Sequence, residues 1–374
     1  NCWPNVDFDI GAINNFLGKF FPAGFYYKTF MWPKSFWHKV YEPIIRKAAG
    51  FGAASIKHDK ERYEHKYEYC DLLIAGSGPS GLASAYAAAQ NGAKVILAED
   101  KSRFGGSLLT SEVTIGNQSG QEWSEKIISE LKSMSNVIVK NRSQVFGYYD
   151  HNMLVMSERI SDHLPETEKY SPKQRLWYIR AKEVIISSGS IERPLVFGNN
   201  DTPGVMLSSA AKEYLKIYGV LAGKKPIVFT NNDSGYETAI EFKKNGIDPI
   251  VLDTRKNPNS EIIKEAKDLN INIKFSYVVV TAKGYKKVKS ADIAKISDDK
   301  KKVSNIENIG CDCICVSGFW TPTIHLASQS GNKTKFKDEI DAFIPSQSKQ
   351  RETTLGSANG IFTLEETLKT SFEK

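Results

Sequence analysis

The stretch from Cys70 to Asp100, CDLLIAGSGPSGLASAYAAAQNGAKVILAED, leaves this chain little freedom in what it can become. It reads as an apolar strand, a glycine turn, an alanine-rich helix, a second strand and an acid. Gly76, Gly78 and Gly81 carry the GxGxxG spacing. The first glycine permits a tight turn, the second lets backbone approach a pyrophosphate, and the third lets the helix pack closely on the strand. Ser77, Pro79 and Ser80 fill the turn between them, and the helix N-terminus offers unpaired N–H groups and partial positive charge to an anion. Glu99, followed by Asp100, stands about twenty residues on, where a carboxylate accepts from ribose hydroxyls. An acid there favours an unphosphorylated ribose, so the expected ligand is NAD or FAD and not NADP.

Further glycine turns point to the same ligand. Gly105, Gly106 and Ser107 follow the acid and put backbone beside the cofactor. Ser188 and Gly189 end the strand AKEVIISSGS at 181–190. Gly356 opens TLGSANGIFTLEETL, a turn running into a helix whose N-terminus is expected to face the pyrophosphate from the other side, with Asn359 expected as its cap in preference to a cofactor contact.

The remaining chain divides by composition. Residues 1–67 form an aromatic-rich arm with Phe16, Phe20, Phe21, Phe25, Tyr26, Tyr27, Phe30, Trp32, Phe36, Trp37 and Tyr41. Prolines at 22, 33 and 43 forbid one long helix and leave room for a short one over 34–50. An arm packed on the main domain or on a partner fits better than a membrane anchor, since no lysine-rich polar face forms. Residues 68–204 make a first nucleotide-binding domain, with a helix at 121–134, a strand at 137–140 and a β-ribbon over 144–182 whose polar turn lies at 161–173. Residues 205–310 make an inserted second unit in βαβα order, hence a parallel sheet. There TNNDSG replaces the glycine fingerprint and places Asn231 and Asn232 at the glycine positions, so the second unit is expected to keep the fold and to have lost the ligand. Residues 311–374 are expected to return to the first domain.

Bulk properties exclude several functions. Lys plus Arg is 50 and Asp plus Glu is 43, a net charge of +7 that is mild for 374 residues. The lysines of 283–302 alternate with acids as in a solvated hairpin, so no nucleic-acid partner is expected. No apolar run reaches the roughly eighteen residues of a membrane span, and no signal peptide is visible. The five cysteines are Cys2, Cys70, Cys311, Cys313 and Cys315. An odd, sparse set argues for a reducing, cytoplasmic compartment. Cys311, Cys313 and Cys315 read as residues lined along one face of a strand, reduced and free of metal, and no CxxxxC redox pair exists. None of the six histidines sits in a catalytic motif, although His325 follows a strand end and is a candidate for the cofactor cleft. The catalytic residues are therefore unassigned. Residue 1 is Asn, and the chain reads as part of something longer.

A nucleotide half, a degenerate nucleotide half and a closing glycine turn resemble the glutathione-reductase-like two-dinucleotide-binding α/β fold. The resemblance narrows with Phe25-Tyr-Tyr-Lys-Thr-Phe-Met-Trp-Pro33, Ser35-Phe-Trp37 and Val40-Tyr-Glu-Pro-Ile44. Ser187-Ser-Gly-Ser-Ile-Glu-Arg-Pro194, Asn200-Asp-Thr-Pro-Gly-Val-Met206, Thr230-Asn-Asn-Asp-Ser-Gly235 and Val316-Ser-Gly318 add to it. Over essentially its whole length the chain resembles the alpha subunits of heterotetrameric sarcosine oxidase.

That resemblance implies an enzyme that oxidises sarcosine to glycine with oxygen, giving hydrogen peroxide and a one-carbon unit for tetrahydrofolate. It implies NAD in the alpha subunit. FAD and the amine-oxidation site lie in the beta subunit, covalent FMN lies near the alpha–beta boundary, and gamma and delta subunits complete the complex, delta with zinc. A ferredoxin-like domain before residue 1 and a folate domain after residue 374 belong to the family pattern and are absent here. Gly76, Gly78, Gly81 and Glu99 carry over as NAD contacts, with Gly106, Ser188, Gly189 and Gly356 beside them. An FAD-dependent oxidoreductase, or a related subunit of an amino-acid dehydrogenase or cyanide-forming complex, is the alternative.

Overall fold

The structure, a computed structural model, describes residues 2–5, 8–20, 23–25, 29–50, 52, 54–165 and 171–373. Phe21, Pro22, Tyr26 and Tyr27 of the arm, and part of the turn expected at 161–173, lie outside the described residues. The chain divides into two compact units, Asn1–Lys60 and Glu61–Lys374.

The smaller unit is built of short helical pieces. Ile13–Leu17 is helical, and a π-helical turn at Trp37–Tyr41 runs into a helix at Glu42–Ala49. Pro43 sits in the first turn, where a missing N–H costs nothing. Gly50 closes the helix at φ 80°, its N–H donating to the carbonyls of Arg46 and Lys47. Phe30 and Tyr41 pack with ring centroids 5.1 Å apart, and the Tyr41 hydroxyl donates to the Trp32 carbonyl at 3.0 Å. Much of the apolar surface stays open, with Trp32 84% and Phe16 81% exposed.

The larger unit begins with β1 (Tyr63–Ala75), α1 (Pro79–Gln90), β2 (Val95–Ala98), α2 (Gly120–Ser133) and β3 (Val137–Lys140). The ribbon follows as β4 (Ser143–Tyr149), β5 (Met153–Arg159) and β6 (Gln174–Ile186). The second half supplies β7 (Val205–Leu207), α3 (Ser208–Tyr218), β8 (Pro226–Thr230), α4 (Ser234–Lys244), β9 (Ile250–Asp253), α5 (Glu261–Asp268) and β10 (Asn272–Phe275). Three strands then form an antiparallel meander, β11 (Tyr277–Gly284), β12 (Val288–Ile296) and β13 (Val303–Gly310). β14 (Cys313–Ser317), β15 (Glu352–Thr354) and α6 (Leu364–Phe372) complete the unit.

The first sheet runs β3-β2-β1-β6-β5-β4, with β15 also on β6. Its β1, β2, β3, β6 and β15 pairings are parallel, and the β4, β5 and β6 ribbon is antiparallel. The long β6 joins the two styles: its first half pairs with β5 and its last three residues pair with β15. On one side Leu82, Ala85 and Ala89 of α1 pack with Ile127, Ile128 and Leu131 of α2 against Ile74, Val95 and Leu97. The other side buries Leu154, Met156, Trp177 and Ile179.

Two boundaries differ from the sequence reading. Residues 63–67, grouped with the arm, are strand and pair with Gln174–Tyr178 of β6. The alternation Tyr-Glu-His-Lys-Tyr is that of a half-solvated strand, which composition alone merges with the polar end of the arm. Residues 313–317, grouped with the first domain, pair in parallel with both β7 and β8 in the second sheet, ordered β7-β14-β8-β9-β10. Both β7 and β8 need a neighbour to satisfy their backbone, and β14 fills the place between them.

The cysteines also differ from expectation. Cys313 and Cys315 share one face of β14 among Ala211, Tyr236 and Phe242, whereas Cys311 precedes the strand and packs on the other side with Ile314 and Val316. Asp312 intervenes because its carboxylate accepts from the Lys224 and Lys225 N–H groups at 2.9 and 2.8 Å, which bends the chain before the strand starts.

Candidate functional site

The glycine turn joins β1 to α1 and is held from two sides. The Gly76 N–H donates to the Ala98 carbonyl at 2.8 Å, and the Ser187 N–H donates to the Ala75 carbonyl at 2.8 Å. Gly76 has φ 105°, and a Cβ there would lie 2.2 Å from the Ser187 carbonyl oxygen. A Cβ on Gly81 would lie 1.9 Å from the Gly76 oxygen. Both positions are closed to any side chain by the protein's own backbone.

Gly78 is different. Its backbone is extended, at φ −66° and ψ −176°, and a Cβ there would meet nothing within 4 Å. The fold leaves room in front of this residue, at the N-terminus of α1. Pro79 has no N–H to leave unpaired, and the first-turn N–H groups of Ser80 and Gly81 have no carbonyl within the helix to bond. An anion is the natural complement of such a site.

The other sequence-nominated residues converge here. The Gly105 N–H donates to the Ser77 carbonyl at 3.0 Å, and a Cβ on Gly106 would come within 2.8 Å of the Gly78 Cα. Gly106 and Ser107 are exposed. Gly356, at φ 64°, faces Ser80, whose hydroxyl oxygen would be 2.8 Å from a Cβ. Gly189, at φ 75°, looks toward the Ser357 hydroxyl. The Ser188 hydroxyl donates to the Thr323 carbonyl at 2.7 Å, and the Thr323 N–H donates to the Gly189 carbonyl at 3.0 Å. His325, two residues beyond, is exposed and begins a short helix. Asn359 lies at the end of the 3-10 turn Gly356–Asn359. The following helix starts at Leu364 with Thr363 before it, so Asn359 is not its cap.

Glu99 is buried and already engaged. Its Oε2 accepts from the Ser77 N–H at 2.9 Å and the Ser77 hydroxyl at 2.5 Å, and its Oε1 accepts from the Lys101 N–H at 3.0 Å. Burial first, and Asp100 second, push its carboxyl above the usual glutamate range against the pull of Ser77. The carboxylate therefore fixes the glycine turn and keeps lone pairs for a further donor. Asp100 is exposed, and its carbonyl accepts from Arg159 at 2.7 Å.

Sequence reasoning missed three features. The link from Ser77 to Glu99 was hidden because serine is unremarkable in a glycine turn. The buried hydroxyls of Ser187 and Thr354, at the ends of the adjoining strands β6 and β15, have no hydrogen-bond partner among the described residues. They lie where the strands run out beside the glycine turn, and only strand pairing brings them together. The third is a set of ion pairs around the loop after Glu99, described below.

The second unit has filled its own turn. The Asn232 amide donates to the Ser317 carbonyl at 3.1 Å, and its oxygen accepts from the Ser234 N–H at 2.9 Å and the Ser234 hydroxyl at 2.5 Å. Trp320 Nε1 donates to the Ser234 hydroxyl at 3.2 Å. At the end of β9, Asp253 stands where an acid would meet ribose. It accepts from the Tyr236 hydroxyl at 2.7 Å and from Arg255 Nη2 at 2.8 Å. Gly235 survives because a Cβ there would lie 2.7 Å from Thr230.

Cys70, Cys311, Cys313 and Cys315 are buried, and burial pushes the Cys70 and Cys311 thiols up to about 12. The Cys313 and Cys315 sulfurs lie 3.6 Å apart inside the second unit. Among the described residues no group of three or more His, Cys, Asp or Glu is arranged to hold a metal ion. No described helix is long and apolar enough to cross a membrane.

Residues 70–345 match the pyridine nucleotide-disulphide oxidoreductase family. The chain belongs to that family. It is also a homologue of sarcosine oxidase alpha subunits. It is 40% identical over 360 residues to the one from Rhizobium meliloti (strain 1021), covering 96% of this chain and 35% of the relative. It is 31% identical over 325 residues to the one from Corynebacterium sp. (strain U-96), covering 86% of this chain and 34% of the relative. The chain thus spans about a third of the length of these relatives, which are by name subunits of a larger enzyme. Among solved structures, L-proline dehydrogenase from P. horikoshii is similar with a TM-score of 0.62 and 20% identity, over 86% of this chain and 56% of that one. Thioredoxin reductase from T. acidophilum has a TM-score of 0.62 and 16% identity, over 82% of this chain and 96% of that one. These likenesses show the same two-dinucleotide-binding fold.

Proposed function

We propose that this chain is the NAD-binding portion of the alpha subunit of a heterotetrameric sarcosine oxidase, with amine oxidation carried by another subunit. The observation that carries the site is the contrast among the three glycines. Gly76 and Gly81 are closed by the protein itself, while the space in front of Gly78 is open. Gly76, Ser77, Gly78, Pro79, Ser80 and Gly81 would cradle the pyrophosphate at the N-terminus of α1. Glu99 would take the ribose, with Asp100 at the rim. Gly106, Ser107, Ser188, Gly189 and Gly356 would line the other walls. NAD, when bound, supplies a hydride acceptor. The protein's own residues bind and orient it: helix N–H groups and glycine backbone meet the phosphates, and a carboxylate already locked by Ser77 meets the sugar.

Glu99 favours a ribose without a 2′-phosphate, since a phosphate would meet a buried carboxylate. The self-filled second turn supports a single dinucleotide. The long relatives named as sarcosine oxidase alpha subunits support the assignment to that complex, with beta, gamma and delta partners, FAD and FMN on or near beta, and a cytoplasmic setting. FAD at the same glycine turn, as in an independent flavoenzyme or a related amino-acid dehydrogenase subunit, is the second reading. The open space in front of Gly78 would accept either adenine dinucleotide, and the filled second turn, which leaves a flavoenzyme's pyridine nucleotide no site, counts against this reading.

Mass spectrometry and the visible spectrum of nucleotide released from the full-length alpha subunit separate the two. One equivalent of NAD with no flavin absorbance is expected. Stoichiometric FAD released from this chain would overturn the assignment.

A further inference from the structure

The loop from Glu99 to Glu112 carries the cofactor wall and is tied at both ends to the second unit. At its start, Lys101 Nζ donates to Glu213 Oε1 on α3 at 2.8 Å, while the Lys101 N–H holds Glu99. At its end, Glu112 accepts from Lys216 of α3 at 3.3 Å and from Lys244 of α4 at 2.5 Å. Lys216 also reaches Glu241 of α4 at 3.2 Å. Between these anchors the chain is compact. The Leu108 N–H donates to the Gly105 carbonyl, and the Thr110 and Ser111 N–H groups donate to the Ser107 carbonyl at 3.2 and 3.1 Å. This turn presses Gly106 against Gly78. Displacement of Glu112 therefore reaches the pyrophosphate position through only a few hydrogen-bonded residues.

We propose that Glu112, held by Lys216 and Lys244, and the Lys101–Glu213 pair are positioning residues through which the second unit clamps the cofactor loop and slows release of the bound dinucleotide. The inference rests on the dinucleotide reading above and adds a role for a half whose own turn is filled. Such pairs are part-exposed, so each contributes little to global stability and is weakened by salt. Their leverage is local, because both ends of one short loop depend on them.

The test uses the full-length subunit with NAD as the probe, reading the NAD release rate and hydrogen exchange of residues 101–112. Glu112→Gln is expected to speed release about threefold to tenfold and to raise exchange in that loop, with unfolding little changed. Lys216→Gln combined with Lys244→Gln should match it, and adding Glu112→Gln to that pair should add almost nothing, the mark of one shared interaction. Raising salt should speed release from the natural protein more than from Glu112→Gln. The swap Lys101→Glu with Glu213→Lys should restore slow release relative to either single change. Unchanged release in a folded Glu112→Gln variant overturns the clamp while leaving the dinucleotide site standing. A natural protein that neither retains nor binds a dinucleotide overturns the site, and the clamp with it.

Discussion

At the scale of single residues, three glycines in one turn have separate jobs. The space beside each states the job. Gly81 faces backbone at 1.9 Å, so Gly81→Ala is expected to strain the packing of α1 on β1 and to cost about 1–3 kcal/mol in chemical unfolding. Gly78 has open space and an ordinary extended backbone. Gly78→Ala should leave unfolding unchanged, or raise stability by up to about 1 kcal/mol, because alanine narrows the unfolded ensemble. The same change should sharply reduce retained nucleotide. A Gly78→Ala protein that keeps a full equivalent would remove the pyrophosphate from this turn. Glu99 shows how a residue picked from spacing gains a second role in the fold. Its distance from the glycines nominates it for ribose, and its bonds to Ser77 make it a brace for the turn as well.

At the scale of elements, the first sheet carries a charged joint where side chains from β3, β5 and β6 meet. Buried Glu158 accepts from Trp177 Nε1 at 2.7 Å, Lys140 Nζ at 2.8 Å and Arg175 Nη1 at 3.2 Å. Burial would raise its carboxyl, but the Lys140 and Trp177 hydrogen bonds, with the charges of Lys140 and Arg175, hold it below 4.5. A carboxyl lowered in the fold contributes stability above its unfolded value of 4.5. That contribution fades as pH falls from there through the folded value. Glu158→Gln should therefore cost about 1.5–3 kcal/mol near neutral pH and lose that deficit in acid, as read from urea unfolding across pH. The turn between β8 and α4 makes the opposite point. Asn232, Ser234, Ser317 and Trp320 satisfy one another, and Asp253 is taken by Tyr236 and Arg255. Protein filled at its first site is expected to take up no further NADH or NADPH in a titration. A second saturable site would show that this polar cluster opens.

At the scale of the whole molecule, two halves of nucleotide-binding type share one chain, and the groups described around the glycine turn are backbone, hydroxyls and the braced Glu99. Cys70, Cys311, Cys313 and Cys315 are buried, and His325, two residues beyond Thr323, is exposed at the start of a short helix. Under the proposed alpha-subunit reading, the chain on its own is expected to give no sarcosine-dependent peroxide, and the complex with the proposed beta subunit is expected to give it. The arm points the same way, since Trp32 and Phe16 are left largely exposed and large open apolar patches mark interaction surfaces. Peroxide assays on the isolated chain and on the reconstituted complex decide this, and sarcosine turnover by the isolated chain would place the chemistry here.

What could be read from sequence alone was local. The glycine spacing, the apolar strands, the alanine-rich helix and the acid at Glu99 are contiguous, and backbone sterics fix what such a segment becomes before any distant contact forms. The loss of the second fingerprint was legible for the same reason, because Asn231 and Asn232 stand at the positions where bare backbone is needed. Tertiary structure decided everything that depends on which strands pair. Nothing local says that β14 sits between β7 and β8, or that Tyr63–Tyr67 continues a sheet, because hydrogen-bond partners across a sheet lie a hundred residues away. The engagement of Glu99 by Ser77, the orphaned hydroxyls of Ser187 and Thr354, and the grip of Lys216 and Lys244 on Glu112 are of this kind. Charges and hydroxyls are common along the chain, and only the fold selects which of them meet.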